Sequence, residues 1–260
     1  MKVLFEEERL HRVAEYVQSK SRASVSELCN LFQISESTAR RDLRELENRG
    51  ILKRSHGGAL YLQAVSFEPT FSEKEDKYKA EKECIAKKAA ELIEDGDTLI
   101  IDSGTTTQYL GAELSRFRDL TVVTNSINLI QRLSAFPNIN IVSTGGALRA
   151  NTMALAGPMA EASLERIRVD KAFIGTNGLN MEAGLTTPNI IEASIKQKMI
   201  SVSDQVYIMA DHSKIGCVSF AKFGNITDIN ACITGDAISK ELKAELERNS
   251  VKLYLVNTDS

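Results

Sequence analysis

Clustered arginines are the first residues in this sequence whose types and spacing could do specific chemistry. They lie in the segment SESTARRDLRELENRG, residues 35–50. A guanidinium group donates two parallel hydrogen bonds to phosphate oxygens or to the edge of a guanine, and short hydroxyl side chains contact phosphate or base. The donors of this kind are Ser37, Thr38, Arg40, Arg41 and Arg44. The segment therefore offers what recognition of nucleic acid requires.

A basic hairpin follows the arginine segment. The run ILKRSHGGALYL contains two short strand-like pieces around His56-Gly57-Gly58, which is typical of a hairpin. Lys53, Arg54 and His56 would add contacts to a DNA backbone. The charge pattern of the arginine segment alone is explained equally well by a solvated helix with exposed ion pairs. Helix and hairpin together favour DNA binding.

Polar loops that follow apolar, strand-like runs form the second group of candidates. The loop of residues 102–107 follows LII and precedes a helix, so its amides and hydroxyls would converge where a helix begins and binds anions. The GTTT run alone is equally well explained as a helix cap. Four more loops have the same placement: Thr124-Asn125-Ser126, Gly145-Gly146, Gly175-Thr176-Asn177-Gly178 and Asp211-His212-Ser213-Lys214.

All five loops are expected to meet at one edge of a sheet, because ligands of open α/β sheets bind at the carboxyl ends of the strands. We expect Thr105, Thr106 and Thr107 to hold a phosphate, with Lys214 adding charge. Asp102, Asn125 and Glu192 would hydrogen-bond hydroxyl groups of the ligand. The full predicted ligand set is Asp102, Gly104, Thr105, Thr106, Thr107, Asn125, Gly145, Gly146, Glu192, Asp211 and Lys214. The alternatives are a surface role for Lys214 and a turn-capping role for Asp211.

Three short helices position the arginines. Residues 6–18 carry apolar side chains at helical spacing, and Ser24 with Glu27 forms a capping-box pattern before a second helix. Ser35 is a candidate cap for the third helix, whose apolar stripe ends at Gly50. This spacing predicts a helix-turn-helix with the hairpin as a wing.

The rest of the chain alternates helices with apolar strands, which predicts a mostly parallel, Rossmann-like α/β sheet. Pro69 and mixed polarity suggest a linker before it. The sequence therefore predicts a winged helix-turn-helix domain at residues 1–60, a linker at 61–75 and a larger α/β domain at 76–260.

Composition limits the classes of protein. The net charge of −3 argues against indiscriminate coating of nucleic acid, but it allows a local basic face. Four scattered cysteines and three histidines suggest neither a metal site nor disulfides. The N-terminus lacks the apolar run of a signal peptide, and no stretch is long enough to span a bilayer. We expect a cytoplasmic protein without cofactor or metal.

The motifs together resemble one bacterial family. Residues 6–60, with SESTARRDLRELENRGILKRSHGGA, resemble the winged helix-turn-helix of DeoR-family repressors. IIDSGTTT, VVTNS, STGG, DKAFIGTNGL, GLTTPN and ADHSKIG resemble that family's sugar-phosphate-sensing domain. The resemblance covers nearly the whole chain. It implies a repressor of a carbohydrate uptake or catabolism operon that binds double-stranded operator DNA and is released by a phosphorylated sugar.

A sugar-phosphate isomerase-like enzyme with an appended DNA-binding domain is the alternative, because the family's sensing domain is similar to ribose-5-phosphate isomerases. Such enzymes need a positioned general base, usually a carboxylate. Ile174 and Asn177 occupy the positions where the enzymes have an aspartate-rich turn. The sequence therefore favours a regulator. A DNA-binding protein without a ligand would not need five polar loops.

The expected assembly is a homo-oligomer, a dimer or tetramer. One winged module makes only a small interface with DNA, so symmetric copies on repeated half-sites are expected.

Overall fold

The computed structural model describes residues 6–20, 22–48, 51–55, 57–61, 70–249 and 251–258. The chain divides between residues 67 and 68 into two compact units. Within the described ranges, no helix is long and apolar enough to cross a membrane.

The first unit combines helices with a small antiparallel sheet. Its elements are α1 Glu6–Lys20, β1 Arg22–Ser24, α2 Val25–Phe32, α3 Glu36–Asn48, β2 Leu52–Ser55 and β3 Gly58–Tyr61. The strand order is β1-β3-β2, with β3 antiparallel to both neighbours. A side chain at Gly58 would have its Cβ 2.2 Å from the Ala23 carbonyl oxygen, so only glycine fits where β3 meets β1.

Local caps define the turn between α2 and α3. Ser24 and Glu27 form a complete capping box at the start of α2. Gln33 ends that helix in the left-handed conformation at φ 52°. The Ser35 hydroxyl then accepts a hydrogen bond from the Thr38 amide at 3.2 Å, which caps α3. The tight helix-turn-helix expected from the sequence is confirmed.

A buried ion pair joins α1 to α3 inside the first unit. Arg9 donates to both carboxylate oxygens of Asp42, at 2.6 and 3.0 Å, and Asp42 is 1% exposed. The hydrophobic core of the same unit includes Leu10, Val13, Val17, Leu28, Leu43, Leu46 and Leu52. The bidentate geometry fixes the angle at which α1 supports α3.

A seven-stranded parallel sheet forms the centre of the second unit. Its strands are β4 Thr98–Ile101, β5 Leu120–Thr124, β6 Ile139–Ser143, β9 Val169–Gly175, β12 Ser203–Met209, β14 Ala231–Gly235 and β15 Lys252–Val256. The order is β15-β14-β12-β9-β4-β5-β6, and every neighbouring pair is parallel. The chain therefore runs outward in opposite directions from β4 and β9, which makes the crevice between them a topological switch point.

Two smaller sheets extend the second unit. A hairpin consists of β7 Ala147–Arg149 and β8 Ala154–Ala156. An antiparallel sheet contains β10 Gly178–Asn180, β11 Gly184–Thr187 and β13 Ala221–Gly224.

Helices cover both faces of the parallel sheet. The helices of the second unit are α4 Phe71–Glu75, which lies at the pocket described below, and α5 Lys79–Ala90, α6 Thr107–Glu113, α7 Ile127–Leu133, α8 Pro158–Leu164, α9 Ile190–Ser201 and α10 Lys240–Arg248, which cover the sheet. Leu99 and Ile101 face a core with α5, α6 and α7, whereas Ile100 faces a core with α8, α9 and α10. The mostly parallel α/β architecture predicted from the sequence is confirmed.

The last residues of the predicted linker form a helix in the second unit. Thr70 and Glu73 make a complete capping box at the start of α4. The amide of Phe71 donates to the carbonyl oxygen of Asn151 at 2.7 Å. Residues 62–69 lie outside the described part of the chain. The polar composition of 70–75 reflects a capped helix with side chains directed to solvent and to a pocket.

Candidate functional site

A pocket lies at the carboxyl ends of the strands, at the switch point between β4 and β9. Four kinds of segment form its wall: the loops after β4, β9 and β12, the turn of the β7–β8 hairpin, the helix α9, and the region α4–α5. The pocket is lined by Phe71, Lys74, Lys77, Lys82, Ser103, Gly104, Thr105, Thr106, Thr152, Gly175, Thr176, Asn177, Glu192, Lys196, Met209, Asp211 and Lys214.

A buried ion pair lies beside the pocket, and only its lysine lines the wall. Lys196 of α9 contacts the Asp102 carboxylate directly and donates to the Gly175 carbonyl oxygen at 2.9 Å. The Gly175 amide donates back to Asp102 at 3.1 Å. Complete burial raises the pKa of the Asp102 carboxyl, and the Lys196 ammonium opposes that rise. The pair ties the ends of β4 and β9 to α9.

Glu192 lies one helical turn before Lys196 on the same face of α9. Asn189 caps this helix by accepting hydrogen bonds from the amides of residues 191 and 192. One carboxylate oxygen of Glu192 accepts from the Thr152 hydroxyl and is paired with Arg149, each at 2.5 Å. The β7–β8 hairpin thereby orients Glu192, which still lines the pocket.

Four lysines, Lys74, Lys77, Lys82 and Lys214, line the side of the pocket formed by α4, α5 and the loop after β12. We call them the lysine group. Lys82 is only 2% exposed. Burial lowers the pKa of Lys82 to about 8, Asp211 opposes this shift, and the three other members lower the pKa further. Positive charge is thus concentrated where an anion would relieve the repulsion.

Three predicted ligand residues lie behind the pocket wall. The Thr107 hydroxyl donates to the Asp102 carbonyl oxygen at 2.6 Å, and Asn125 accepts from the Ser103 amide at 2.8 Å. Both therefore shape the loop of residues 102–107 from inside. The Thr107 hydroxyl bonds to carbonyl oxygens of this loop, and its expected contact with a phosphate stays a prediction. The Asp102 carboxylate forms an ion pair with Lys196.

Two buried polar atoms beside this loop have no hydrogen-bond partner among the described residues. They are Oδ1 of Asp102 and Nδ2 of Asn125. One acceptor and one donor thus remain without a hydrogen bond, and leaving a buried polar atom unsatisfied costs stability.

Gly145 and Gly146 do not line the pocket. They form the connection between β6 and β7, at φ 64° and 104°. A side chain at Gly146 would have its Cβ 2.7 Å from the Ala156 carbonyl oxygen. Gly146 therefore packs closely in this turn, and the ligand roles expected for both glycines stay predictions.

Asp211 and Lys214 do line the pocket, together with Gly104, Thr105, Thr106 and Glu192. Asp211 also caps the short helical turn after β12 by accepting from the Ser213 amide at 3.2 Å. The half-buried Lys214 side chain makes no hydrogen bond or ion pair with a described residue.

The sequence prediction does not include the pocket residues Lys74, Lys77, Lys82, Thr152 and Lys196, nor Arg149, which pairs with the pocket residue Glu192. The four-residue spacing of Glu192 and Lys196 on one helix was an available signal. Lys82 carries no local signal, because its neighbours along α5 include other lysines that remain exposed.

The face of α3 presents the predicted DNA-binding side chains. Ser37, Arg40, Arg41 and Arg44 are exposed, and Thr38 is half-buried. Arg40 pairs with Glu36 at 2.5 Å across one helical turn. The Ser35 hydroxyl lies 2.9 Å from the hydroxyls of both Ser37 and Thr38. The helix N-terminus is thus lined with hydroxyls that are already ordered.

The β2–β3 hairpin presents Lys53 and Arg54 at the surface, and His56 lies outside the described residues. Arg54 pairs with Glu47 of α3 at 2.6 Å, and its amide donates to the same carboxylate at 2.9 Å. These hydrogen bonds lower the pKa of the Glu47 carboxyl. Within the first unit, Arg54 therefore links the β2–β3 hairpin to α3.

The described residues contain no group of three or more histidine, cysteine or acidic side chains arranged to hold a metal ion. The cysteines are free thiols: Cys29, Cys84 and Cys217 are half-buried, and Cys232 is buried.

Comparison with known families assigns both parts of the chain. Residues 9–65 match the DeoR-like helix-turn-helix domain. Residues 77–236 match the DeoR C-terminal sensor domain.

Curated relatives match over almost their full length. The chain is 39% identical to the uncharacterized HTH-type transcriptional regulator YulB of Bacillus subtilis, covering 96% of each chain. It is 39% identical to the HTH-type transcriptional regulator GlpR of Haloferax volcanii, over 94% of this chain and 95% of the relative. It is 37% identical to the lactose phosphotransferase system repressor of Staphylococcus aureus, over 97% and 98%.

Solved structures are more distant. Ribose 5-phosphate isomerase A of Methanocaldococcus jannaschii is 17% identical, covers 52% of this chain and 53% of its own, and has a TM-score of 0.38.

Proposed function

The chain belongs to the DeoR family of helix-turn-helix transcriptional regulators, and from this premise we propose that it represses a carbohydrate uptake or catabolism operon. A phosphorylated sugar, bound in the pocket of the second unit, releases it from operator DNA. The relative named as a lactose phosphotransferase system repressor supports the link to carbohydrates.

The lysine group is the observation that carries the sugar-phosphate proposal. Lys82 and Lys214 line the same pocket as Thr105 and Thr106. The negative charge of Asp211 favours the charged form of Lys82. A phosphate monoester carries close to two negative charges at neutral pH and offers three acceptor oxygens. It therefore satisfies several ammonium and hydroxyl donors at once.

The sugar hydroxyls would be bound on the opposite side of the pocket. Glu192 presents a carboxylate that Arg149 and Thr152 hold in place, and Asn177 lines the same region. A carboxylate held by two donors accepts a ligand hydroxyl without moving, so its position selects the stereochemistry of the sugar.

Operator binding is assigned to α3 and the wing. The exposed side chains Arg41 and Arg44 lie on the surface of α3 opposite Leu43 and Leu46, which are buried. A recognition helix of this kind enters the major groove while the wing contacts the backbone. The proposed contacts are Ser37, Thr38, Arg40, Arg41, Arg44, Lys53, Arg54 and His56.

Binding without turnover is the second part of the proposal. Ile174 is fully buried in the core, and the Asn177 side chain accepts from the Thr187 hydroxyl at 3.2 Å. Glu192 is fixed by its ion pair with Arg149. We expect no isomerisation of aldose or ketose phosphates. Robust turnover that Glu192→Gln abolishes would favour the enzyme instead.

Thermal-shift screening of hexose, pentose and glycerol phosphates, followed by operator-binding assays with the promoter DNA, tests the function. Wild-type protein should bind one of these compounds and release the operator. Lys214→Met should keep operator binding but lose the response, whereas Lys243→Met, an exposed change on α10, should behave as wild type. Absence of any phosphorylated compound that weakens DNA binding would refute the sensor role.

A further inference from the structure

A neighbour of the pocket holds helix α4 at its first end, and a pocket residue holds it at its second end. At the first end, the Phe71 amide donates to the carbonyl oxygen of Asn151, in the turn of the β7–β8 hairpin. The same hairpin supplies Arg149 and Thr152 to Glu192. Glu192 in the pocket is therefore linked to the first residue of α4 through the hairpin turn, in which Asn151 and Thr152 are neighbours in sequence.

At the second end, the buried Lys82 ammonium contacts the Lys74 carbonyl oxygen and lies 3.4 Å from the carbonyl oxygen of Glu75. The last carbonyls of a helix lack partners within it and attract positive charge. Gln108 of α6 also donates to the Glu75 side chain at 3.2 Å. Lys82 is thus shared between the C-terminus of α4 and the pocket.

Helix α4 also contributes directly to the pocket wall through Phe71 and Lys74. It begins directly after residues 62–69, which join the two units along the chain. Among the described residues that touch the pocket, those of α4 are therefore the nearest in sequence to the DNA-binding unit.

The lysine group makes the position of α4 sensitive to an anion. Two of its members, Lys74 and Lys77, lie on or directly after α4, and Lys82 and Lys214 face them. Lys74, Lys77 and Lys214 each disfavour the positive charge of Lys82, whereas Asp211 favours it. An anion among them converts the repulsion into attraction toward a common centre.

We propose that Lys82 binds the anionic group of the pocket's ligand and that α4, drawn against the pocket when this happens, reports occupancy to residues 62–69. This inference rests on the proposed function of the pocket as a sugar-phosphate site. It assigns the phosphate mainly to the α4–α5 side, and the loop of residues 102–107 completes the site.

Hydrogen exchange measured with inorganic phosphate tests the proposal. In wild-type protein, phosphate should slow amide exchange in residues 70–82 relative to sodium chloride at equal ionic strength, with α10 as the unaffected reference. Lys82→Met, which keeps the apolar stem, should lose this slowing. Lys87→Met removes an exposed charge from the same helix and should retain it.

Retained slowing in Lys82→Met overturns the proposal, as does unchanged exchange in wild-type residues 70–82 when phosphate raises the melting temperature. Lys77→Met provides a second test, because Lys77 is exposed and its loss does not endanger folding. It should weaken phosphate binding and reduce the slowing. An undiminished response in Lys77→Met also counts against the proposal.

The same experiments separate this inference from the proposed function. If a sugar phosphate releases the operator while exchange in residues 70–82 is unchanged, α4 is not the reporter and the repressor function stands. If phosphate slows exchange at α4 through Lys82 but no sugar phosphate affects DNA binding, the anion site is supported and the proposed function is wrong.

Discussion

The ammonium of Lys196 is the only charged donor that the described residues place against the Asp102 carboxylate. Replacing Lys196 with Met would leave that carboxylate buried and uncompensated. We expect a loss of about 3 to 5 kcal/mol in the free energy of unfolding, measured by urea denaturation of the second unit's transition.

Lys198 offers a matched control on the same helix. It pairs with Glu165 at 3.0 Å, and the Glu165 side chain is 60% exposed. Lys198→Met should cost no more than about 1 kcal/mol. Adding Asp102→Asn to Lys196→Met should restore part of the lost stability. Equal losses in the free energy of unfolding for the two lysine changes would show that the buried ion pair contributes no more to stability than the exposed one.

The pKa of Lys82 gives the pocket a pH dependence. Its folded value is about 8, against an ordinary value of 10.5, because burial and Lys74, Lys77 and Lys214 outweigh Asp211. Between these values the unfolded chain binds more protons, so the destabilisation from charged Lys82 is complete below pH 8 and disappears toward higher pH.

Ligand binding should show the corresponding dependence. A sugar phosphate is already a dianion above about pH 7, since its second pKa is near 6. Its affinity should therefore fall as Lys82 loses its proton above pH 8, with proton uptake on binding in that range. Calorimetry in buffers of different ionisation enthalpy measures both. The same fall in Lys82→Met would assign the titration to another group.

At the scale of elements, α3 and the wing should affect DNA binding differently. Arg41→Ala should cost about 1 to 3 kcal/mol on the best operator and relax its sequence preference, because arginine reads a base edge from the groove. Lys53→Ala should weaken all sequences similarly and reduce the salt dependence. Fluorescence anisotropy with operator variants at several salt concentrations distinguishes them. Undiminished binding after loss of both Arg40 and Arg41 would exclude this helix.

Local signals explain which elements could be predicted from the sequence. The capping box at Ser24 and the cap at Ser35 act within four residues, so the helix-turn-helix could be recognised directly. The same kind of signal at Thr70 and Glu73 was present, but Pro69 and mixed polarity suggested a linker. Apolar strand runs identified the sheet because a parallel sheet is buried on both faces.

The pocket was only partly predictable, because burial of a charged residue depends on partners far away in the sequence. Lys196 and Asp102 are 94 positions apart, and Glu192 and Thr152 are 40 apart. Loops at strand ends could be placed from the strand pattern. Nothing in the residues around Lys82 distinguishes it from the exposed Lys87 on the same helix.

At the scale of the whole molecule, repression and sensing must be reciprocal. If a sugar phosphate lowers operator affinity by a given factor, operator DNA must lower sugar-phosphate affinity by the same factor. A coupling of about 1 to 3 kcal/mol corresponds to a change of roughly 5- to 150-fold. Titrating the sugar phosphate with and without saturating operator measures the second factor. Unequal factors would mean that a change of assembly accompanies binding.

The attachment of α4 to the second unit determines where this protein can be joined to another in the design of a chimeric biosensor. A fusion that takes the DNA-binding unit from one DeoR relative and keeps residues 68–260 of this chain preserves the contacts of Phe71 and Lys82. A junction at residue 76 would instead bring in a foreign α4. We expect reporter strains with the first junction to respond to inducer, and those with the second to remain repressed.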